Sequence, residues 1–191
     1  MRRLLYSPIV TRPIRFFCHL FYPSKYLTGK FFEEKRMGYV WAIRSIPRLF
    51  ALHRQKVYWP VARNTSVLGG DKISFDNSSI NVFQQFGCYF QAFAEIRIGR
   101  DVWIGQNTGI ITANHSLINP EEHDSGHPVI IGDSVWIGMN SVILPGVELG
   151  PHTIVGAGSI VTKSFPKGWC VIAGNPARII KMIPHDEDTK E

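Results

Sequence analysis

The stretch that decides the fold reads Ile131-Gly132-Asp133-Ser134-Val135-Trp136-Ile137-Gly138-Met139-Asn140-Ser141-Val142, which is two copies of one six-residue pattern. An aliphatic residue opens each unit, glycine usually follows it, and a small or β-branched residue stands at the fifth position. A period of six fits neither a helix of 3.6 residues per turn nor an alternating strand. It is typical of a parallel β-helix, in which stacked coils share one continuous core. The units open at Ile98, Ile104, Ile131, Ile137, Ile143, Leu149 and Val155.

Three such units make one coil of about eighteen residues. The pattern from Ile98 lies over the pattern from Ile131 if residues 116–130 are looped out, and Ile80, Ile98, Ile131 and Leu149 should then stack on one face. About five coils, each roughly 4.8 Å thick, give a prism about 24 Å tall. We therefore predict an all-β solenoid of about five coils. A β-sandwich of short strands would need turn signals every eight to twelve residues or so.

The chain divides into three parts. Residues 1–60 lack the repeat and interleave basic, aromatic and proline residues, with two short helices expected around residues 10–21 and 32–54. Residues 61–183 are the predicted β-helix, with an irregular first coil over 61–79 and the extruded loop at 116–130. Residues 184–191 are predicted to be a polar tail.

The composition is that of an ordinary globular protein, with 45% hydrophobic and 19% charged residues. The three cysteines are odd in number and have no metal-ligand spacing, which favours free thiols in a reducing compartment. The chain contains no run of eighteen apolar residues. We expect a cytoplasmic protein, with no metal and no nucleic-acid partner.

The positive charge lies in one part of the chain. Residues 1–60 contain twelve Lys and Arg against Glu33 and Glu34, whereas residues 61–191 contain nine against thirteen acids. A basic and aromatic segment can contact an anionic surface, here the inner membrane leaflet or the phosphate of a lipid-linked glycan. The alternative is that the segment packs over the first coil with its basic groups in water.

His115 stands directly before the fifteen-residue loop 116–130. Loops of this length on a regular scaffold usually carry function. A neutral imidazole suits general-base chemistry on a hydroxyl, although a lone histidine more often merely caps a strand at the surface. Glu121, Glu122, Asp124 or a backbone carbonyl could orient its ring.

The motifs around His115 resemble the hexapeptide-repeat acyltransferases, which include the maltose, galactoside and serine O-acetyltransferases and polysaccharide O-acetyltransferases. The resemblance covers about residues 75–183. It is carried by Thr112-Ala113-Asn114-His115, Pro128-Val129-Ile130-Ile131-Gly132-Asp133-Ser134-Val135-Trp136-Ile137-Gly138, Leu144-Pro145-Gly146-Val147, Gly156-Ala157-Gly158-Ser159-Ile160-Val161-Thr162-Lys163 and Ala173-Gly174-Asn175-Pro176-Ala177.

The resemblance implies a left-handed β-helix, whereas the general rule for parallel crossovers would predict a right-handed one. It also implies a homotrimer with active sites between subunits, acetyl-CoA as co-substrate and His115 as general base. Asn114 and Gln85 are the substrate-contact candidates, Gln85 because it falls near an active-site asparagine of some relatives. The coenzyme A groove implied by position comprises Trp136, Gly138, Met139, Gly156, Ala157 and Thr162, with Lys163, Arg178 and Lys181 for the phosphates.

The predicted function is direct transfer of an acetyl group to a hydroxyl, with a saccharide or lipid-linked glycan as acceptor by analogy. Three alternatives stay open: N-acetylation of an amino sugar, a γ-type carbonic anhydrase, and a silent β-helix scaffold. The carbonic anhydrase needs three histidines converging on zinc, and only His115 is predicted to lie on a coil.

Overall fold

The computed structural model describes residues 8–184. The first seven residues, which include Tyr6 of the predicted aromatic segment, and most of the predicted polar tail lie outside these described residues. Within residues 8–184, three α-helices precede the β-helix: α1 (Pro8–His19), α2 (Met37–Ser45) and α3 (Leu49–Arg54). Short 3₁₀ turns occupy Ser24–Tyr26, Ile46–Arg48, Gly70–Lys72 and Asn77–Gln84.

Fourteen short strands follow. They are β1 (Ser66–Leu68), β2 (Ile73–Phe75), β3 (Tyr89–Gln91), β4 (Ile96–Ile98), β5 (Trp103–Ile104), β6 (Gly109–Ile111), β7 (Val129–Ile131), β8 (Trp136–Ile137), β9 (Val142–Ile143), β10 (Glu148–Leu149), β11 (Ile154–Val155), β12 (Ile160–Val161), β13 (Cys170–Gly174) and β14 (Ala177–Met182).

The strands form three sheets, which are the three faces of a prism. The first sheet has the order β1-β3-β6-β9-β12, the second β10-β7-β4-β2, and the third β14-β13-β11-β8-β5. Strands pair in parallel with the next coil, and β14 folds back antiparallel on β13 to close one end. The predicted left-handed parallel β-helix with a partly helical N-terminal segment is confirmed.

The predicted stacking column is right at three of its four positions. Ile98 pairs with Ile131, and Ile131 pairs with Leu149. The partner of Ile98 on the other side is Phe75 rather than Ile80. Ile80 is fully buried in the 3₁₀ turn Asn77–Gln84, which Asp76 caps by accepting the backbone N–H of Ser78 at 2.8 Å. This turn lengthens the first coil, so the eighteen-residue spacing fails there.

The six-residue period has a backbone cause. The fourth position of successive units has positive φ at Asp101, Asn107, Ser134, Asn140 and His152, which turns the chain at each corner. The glycine after the aliphatic opener is required where coils touch. A Cβ on Gly138 would lie 2.5 Å from the backbone nitrogen of Ala157 in the next coil.

The fifth position is slim because its side chain is buried inside the corner. The hydroxyl of Thr108 donates to the Gly105 carbonyl at 2.9 Å, and Thr153 donates to the Gly150 carbonyl at 2.7 Å. Each hydroxyl thereby satisfies a buried carbonyl three residues back, so burial of the polar group carries no unpaired donor.

The N-terminal segment packs against the first coils through aromatic contacts. Phe31 meets Trp41 at 5.1 Å and Trp103 at 6.3 Å between ring centroids, and Lys30 forms an ion pair with Asp101. The second predicted helix is broken into α2 and α3 because Pro47 lies in the turn between them. Among the described residues, no helix is long and apolar enough to cross a membrane.

Candidate active site

The loop after β6 folds back on itself directly beyond the prism. His115 forms an isolated antiparallel bridge with His123, and the two rings lie 4.3 Å apart between centroids. The backbone N–H of Asp124 donates to the Asn114 carbonyl at 3.0 Å, and that of His127 donates to Thr112 at 2.7 Å. These hydrogen bonds tie the two ends of the loop together, so the backbone on either side of His115 is anchored.

The ring of His115 is oriented by a backbone carbonyl. Its Nδ1 lies 2.6 Å from the carbonyl oxygen of Pro120, which can only accept, so Nδ1 carries the proton. Of the carboxylates predicted as alternatives, Glu122 instead accepts from the Asn119 side chain at 3.0 Å. In the neutral ring this hydrogen bond leaves the lone pair on Nε2, and the side chain is exposed. This is the tautomer that a general base requires.

Gln91 is a neighbour of this site that the sequence analysis did not select. It ends β3 opposite Ile111, and its Oε1 accepts the backbone N–H of Ala113 at 3.2 Å. The polar Nε2 of its carboxamide makes no hydrogen bond within residues 8–184. The pairing of β3 with β6 in adjacent coils is the feature that would have identified Gln91.

Gln85, the glutamine predicted to contact the substrate, lies elsewhere. Gln85 follows the 3₁₀ turn at the corner before β3, whereas Asn114 and His115 follow β6. These positions are at opposite ends of the first sheet's strands, so the described chain does not bring Gln85 and His115 together. Asn114 is exposed next to His115.

The remaining predicted residues fall on two edges of the prism. Thr162 and Lys163 follow β12 where the first sheet turns into the second, on the same edge as His115; we call this the histidine edge. Gly138, Met139, Gly156 and Ala157 lie where the third sheet turns into the first, which we call the small-residue edge. Trp136, Arg178 and Lys181 lie on strands of the third sheet.

The small-residue edge, where the coenzyme A groove is predicted, is open to solvent and partly apolar. Met139 is 46% exposed, and a Cβ built on Gly158 would meet nothing within 4 Å. The cations predicted for phosphates are also available. Lys163, Arg178 and Lys181 are exposed and belong to none of the ion pairs found within residues 8–184.

The cysteines have the properties of buried structural thiols. Burial raises the pKa of Cys18 to about 11 and also raises the pKa values of Cys88 and Cys170. All three are free and buried, so none is poised as a thiolate nucleophile. The described residues hold no group of three His, Cys, Asp or Glu side chains that could hold a metal ion.

Comparison with known proteins gives matches over the repeat region. A family described as "Bacterial transferase hexapeptide (six repeats)" matches residues 128–163. A putative acetyltransferase of Schizosaccharomyces pombe is 37% identical over 107 residues, covering 54% of this chain and 51% of the relative. A tetrahydropyridine-dicarboxylate N-acetyltransferase of Staphylococcus aureus is 45% identical over 93 residues, covering 49% and 36%. The chain thus spans about half the length, or less, of these curated relatives.

A solved hexapeptide-repeat acetyltransferase of Vibrio cholerae, complexed with acetyl-CoA, is 32% identical with a TM-score of 0.59, covering 65% of this chain and 68% of that one. The chain belongs to the hexapeptide-repeat acetyltransferase family. A maltose O-acetyltransferase of Clostridium difficile is 26% identical with a TM-score of 0.54, covering 95% and 91%. Because it covers 95% of this chain, the latter match includes residues of the N-terminal segment.

Proposed function

We propose that this protein transfers an acetyl group from acetyl-CoA directly to a hydroxyl of a saccharide or similar small acceptor, with His115 as general base. The observation that carries the proposal is the Nδ1–Pro120 hydrogen bond, which leaves a basic Nε2 exposed beside an ordered loop. The solved relative with bound acetyl-CoA supports the choice of donor.

The step needs one proton acceptor. As the acceptor oxygen attacks the thioester carbonyl carbon, Nε2 of His115 takes the hydroxyl proton, since an alcohol is too weak an acid to attack unaided. The tetrahedral intermediate then loses coenzyme A thiolate as the C–S bond breaks, and the imidazolium returns the proton to the sulfur. The Pro120 carbonyl keeps the imidazolium oriented while it carries the positive charge.

We propose that the site is completed between subunits of a homotrimer. The histidine edge and the small-residue edge lie at opposite ends of the first sheet's strands in one chain. A catalytic base on one edge can act on a donor bound at the other only if a second copy supplies that edge. Exposed Trp136 and Met139 beside the small-residue edge give such a contact apolar area.

The test is release of free thiol from acetyl-CoA across a panel of sugars, nucleotide sugars, serine and amphipathic antibiotics. We expect His115→Ala to lower the rate by about 10²–10⁴-fold with folding and oligomer mass unchanged, because the side chain lies outside the core. His127→Ala is the matched control, since that exposed histidine lies in the same loop. A His115→Ala variant that keeps most of the activity would remove His115 from the mechanism.

N-acetylation is the second candidate, because a curated relative with 45% identity is named as an N-acetyltransferase. An amine attacks the same thioester and gives its proton to the same base. Glucose and glucosamine, compared at equal concentration, separate the two reactions. A product with an acetamide group, identified by mass and by resistance to mild alkali, would decide for the amine.

We further propose that α1 contacts an anionic membrane surface at the inner leaflet, where the acceptor would be lipid-linked. Phe16 is 72% and Leu20 65% exposed, with exposed Arg12 and Arg15 beside them. Basic and aromatic clusters favour the interface of anionic bilayers. Vesicles with anionic lipid should sediment the full chain at low salt and release it at high salt. Protein that stays in the supernatant at low salt would limit the segment to a structural role.

A further inference from the structure

A pocket of about 310 Å³ lies between the N-terminal segment and the first coils. We call it the arginine pocket and define it by Trp41, Arg44, Ala62, Arg63, Asn64, Gln84 and Phe86. Its volume is at the lower end of the range for small-molecule sites, which suits one sugar ring. None of these residues belongs to the acetyl-transfer site proposed above.

The pocket is lined by two arginines and by no acidic residue. Residues 35–70, which supply Arg44 and Arg63, contain seven Lys and Arg and no Asp or Glu. Residues 77–94, which supply the opposite wall, contain no acid either. Neither arginine belongs to an ion pair found within residues 8–184. A third arginine, Arg48, holds the same wall in place by donating to the carbonyls of Ala62 and Thr65.

Two aromatic side chains border the arginines. Trp41 is held against Phe31, with 5.1 Å between ring centroids, and Phe86 is 56% exposed at the corner before β3. Aromatic faces of this kind pack against the apolar face of a sugar ring. Gln84 donates through Nε2 to the Pro60 carbonyl at 2.7 Å, so its Oε1 stays free to accept from a hydroxyl. Guanidinium, aromatic and amide groups together recognise a charged sugar.

The pocket lies on the line of the predicted donor groove. Along the small-residue edge, the backbone N–H of Asn107 donates to the Phe86 carbonyl, and the backbone N–H of Asn140 donates to the Gln106 carbonyl, both at 2.9 Å. Phe86 is therefore two coil steps, about 10 Å, from the level of Met139 and Asn140. A donor bound along the small-residue edge would point one end towards the arginine pocket.

We propose that the arginine pocket binds the anionic group of the acetyl acceptor, which is a saccharide carrying a carboxylate or a phosphate. The role of this sugar as acceptor rests on the proposed acetyl transfer. The binding of an anionic sugar is inferred from the pocket alone. Arg44 and Arg63 hold the anionic oxygens, and Trp41 and Phe86 contact the ring. Charge-assisted pairing with guanidinium groups accounts for selectivity over neutral sugars.

The experiment measures equilibrium binding of glucose, glucuronate and glucose 6-phosphate to the full chain by calorimetry, without acetyl-CoA. We expect at least one of the two anionic sugars to bind about tenfold to a hundredfold more tightly than glucose. The two anionic probes distinguish a carboxylate from a phosphate. Arg44→Gln and Arg63→Gln should each reduce the preference, and the double variant should abolish it. Arg54→Gln, at an exposed arginine outside the pocket, should leave the preference intact.

Transfer assays separate this inference from the proposed function. With an anionic acceptor, Arg44→Gln should raise the KM for the sugar and leave the KM for acetyl-CoA unchanged. Arginine-dependent binding without thiol release would reject the acetyl transfer and keep the pocket as an anionic-sugar site. His115-dependent transfer without a preference for anionic sugars, or a preference that survives in the double variant, would overturn the pocket. Failure of all three sugars to bind at millimolar concentration would also overturn it.

Discussion

The β-helix and the N-terminal segment are held together by different kinds of core. In the regular coils of the prism, buried aliphatic side chains stack on one another from coil to coil, as in the column of Ile98, Ile131 and Leu149. In the N-terminal segment, single large aromatics such as Phe31 and Phe32 fill places that occur once. The first core repeats one kind of contact from coil to coil, whereas the second depends on contacts that each occur once.

The same contrast extends to the proposed chemistry. The prism provides the residues that the proposed reaction assigns to the base and to the donor, namely His115, the small-residue edge and the exposed cations Lys163, Arg178 and Lys181. The N-terminal segment provides Trp41 and Arg44, which form one wall of the arginine pocket. In the proposed reaction the regular part therefore supplies the donor site and the base, and the irregular part supplies the groups that would select the acceptor.

The largest loss of stability is expected when a buried side chain is removed from either core, and this tests whether the two regions unfold as one unit. Phe32→Ala and Ile137→Ala each remove a fully buried side chain and should each cost about 2–5 kcal/mol of unfolding free energy. Contacts such as Phe31 with Trp103 and Lys30 with Asp101 join the regions, so we expect one cooperative transition in urea. Tryptophan fluorescence and circular dichroism at fixed protein concentration measure it.

Phe50→Ala is the control for this comparison, because Phe50 is 79% exposed and its loss should change stability by less than about 0.5 kcal/mol. A separate early transition in Phe32→Ala, with the main transition unmoved, would show that the N-terminal segment unfolds independently of the prism.

Glycine replacements test the repeated core itself. A Cβ at Gly138 would lie 2.5 Å from the Ala157 nitrogen and 2.9 Å from the Val155 carbonyl oxygen, both backbone atoms of the next coil. Gly138→Ala should therefore lower the free energy of unfolding by about 1–3 kcal/mol. Gly109→Ala is the matched control, since its Cβ would meet Val142 at an ordinary 3.6 Å. Equal thermal stability of the two variants would contradict close contact between coils at Gly138.

The sequence predicted the prism well because its period is imposed by physics at every corner. Positive φ at Asn107 and Asn140, and close backbone contact at Gly138, leave the chain little choice of residue. The position of the fifteen-residue loop followed from the same register. The first coil was misread because Ile80 has the right chemistry for the column but belongs to a 3₁₀ turn that the period does not describe.

Site residues beyond His115 were harder to predict, since they depend on which coils are adjacent rather than on spacing along the chain. Gln91 reaches the site because β3 pairs with β6, which the lengthened first coil obscured. The arginine pocket lay beyond reach for a similar reason. Its walls come from α2 and two separate corners, and nothing in the repeat specifies how a unique aromatic segment packs there.

Replacement of Lys163 should have a smaller effect, confined to the binding of the acetyl-CoA donor. Its ammonium lies 5.8 Å from the Phe165 ring and is free to pair with a phosphate at the histidine edge. Lys163→Gln should raise the KM for acetyl-CoA about threefold to tenfold with little change in kcat, because a remote contact acts on ground and transition states alike. Lys167→Gln is the control, because Lys167 is an exposed lysine that lines the same surface pocket as Lys163. A KM equal to that of the parent would remove Lys163 from coenzyme A binding.

The smallest effect concerns an ion pair between neighbouring coils. Asp133 accepts the backbone N–H of Arg100 at 2.8 Å and its guanidinium at 2.7 and 2.9 Å, and these bonds lower the pKa of the carboxyl below its ordinary value. A lowered pKa stabilises the fold above the ordinary carboxyl range, and this contribution is lost as the pH falls through the folded-state value. Because the pair is exposed, Asp133→Asn should cost only about 0.5–1 kcal/mol at pH 7, and the difference from the parent should shrink towards pH 3. Urea denaturation across this pH range measures it, with loop residue Asp124→Asn as the control. A deficit in Asp133→Asn that stays constant down to pH 2 would assign the loss to packing rather than to charge.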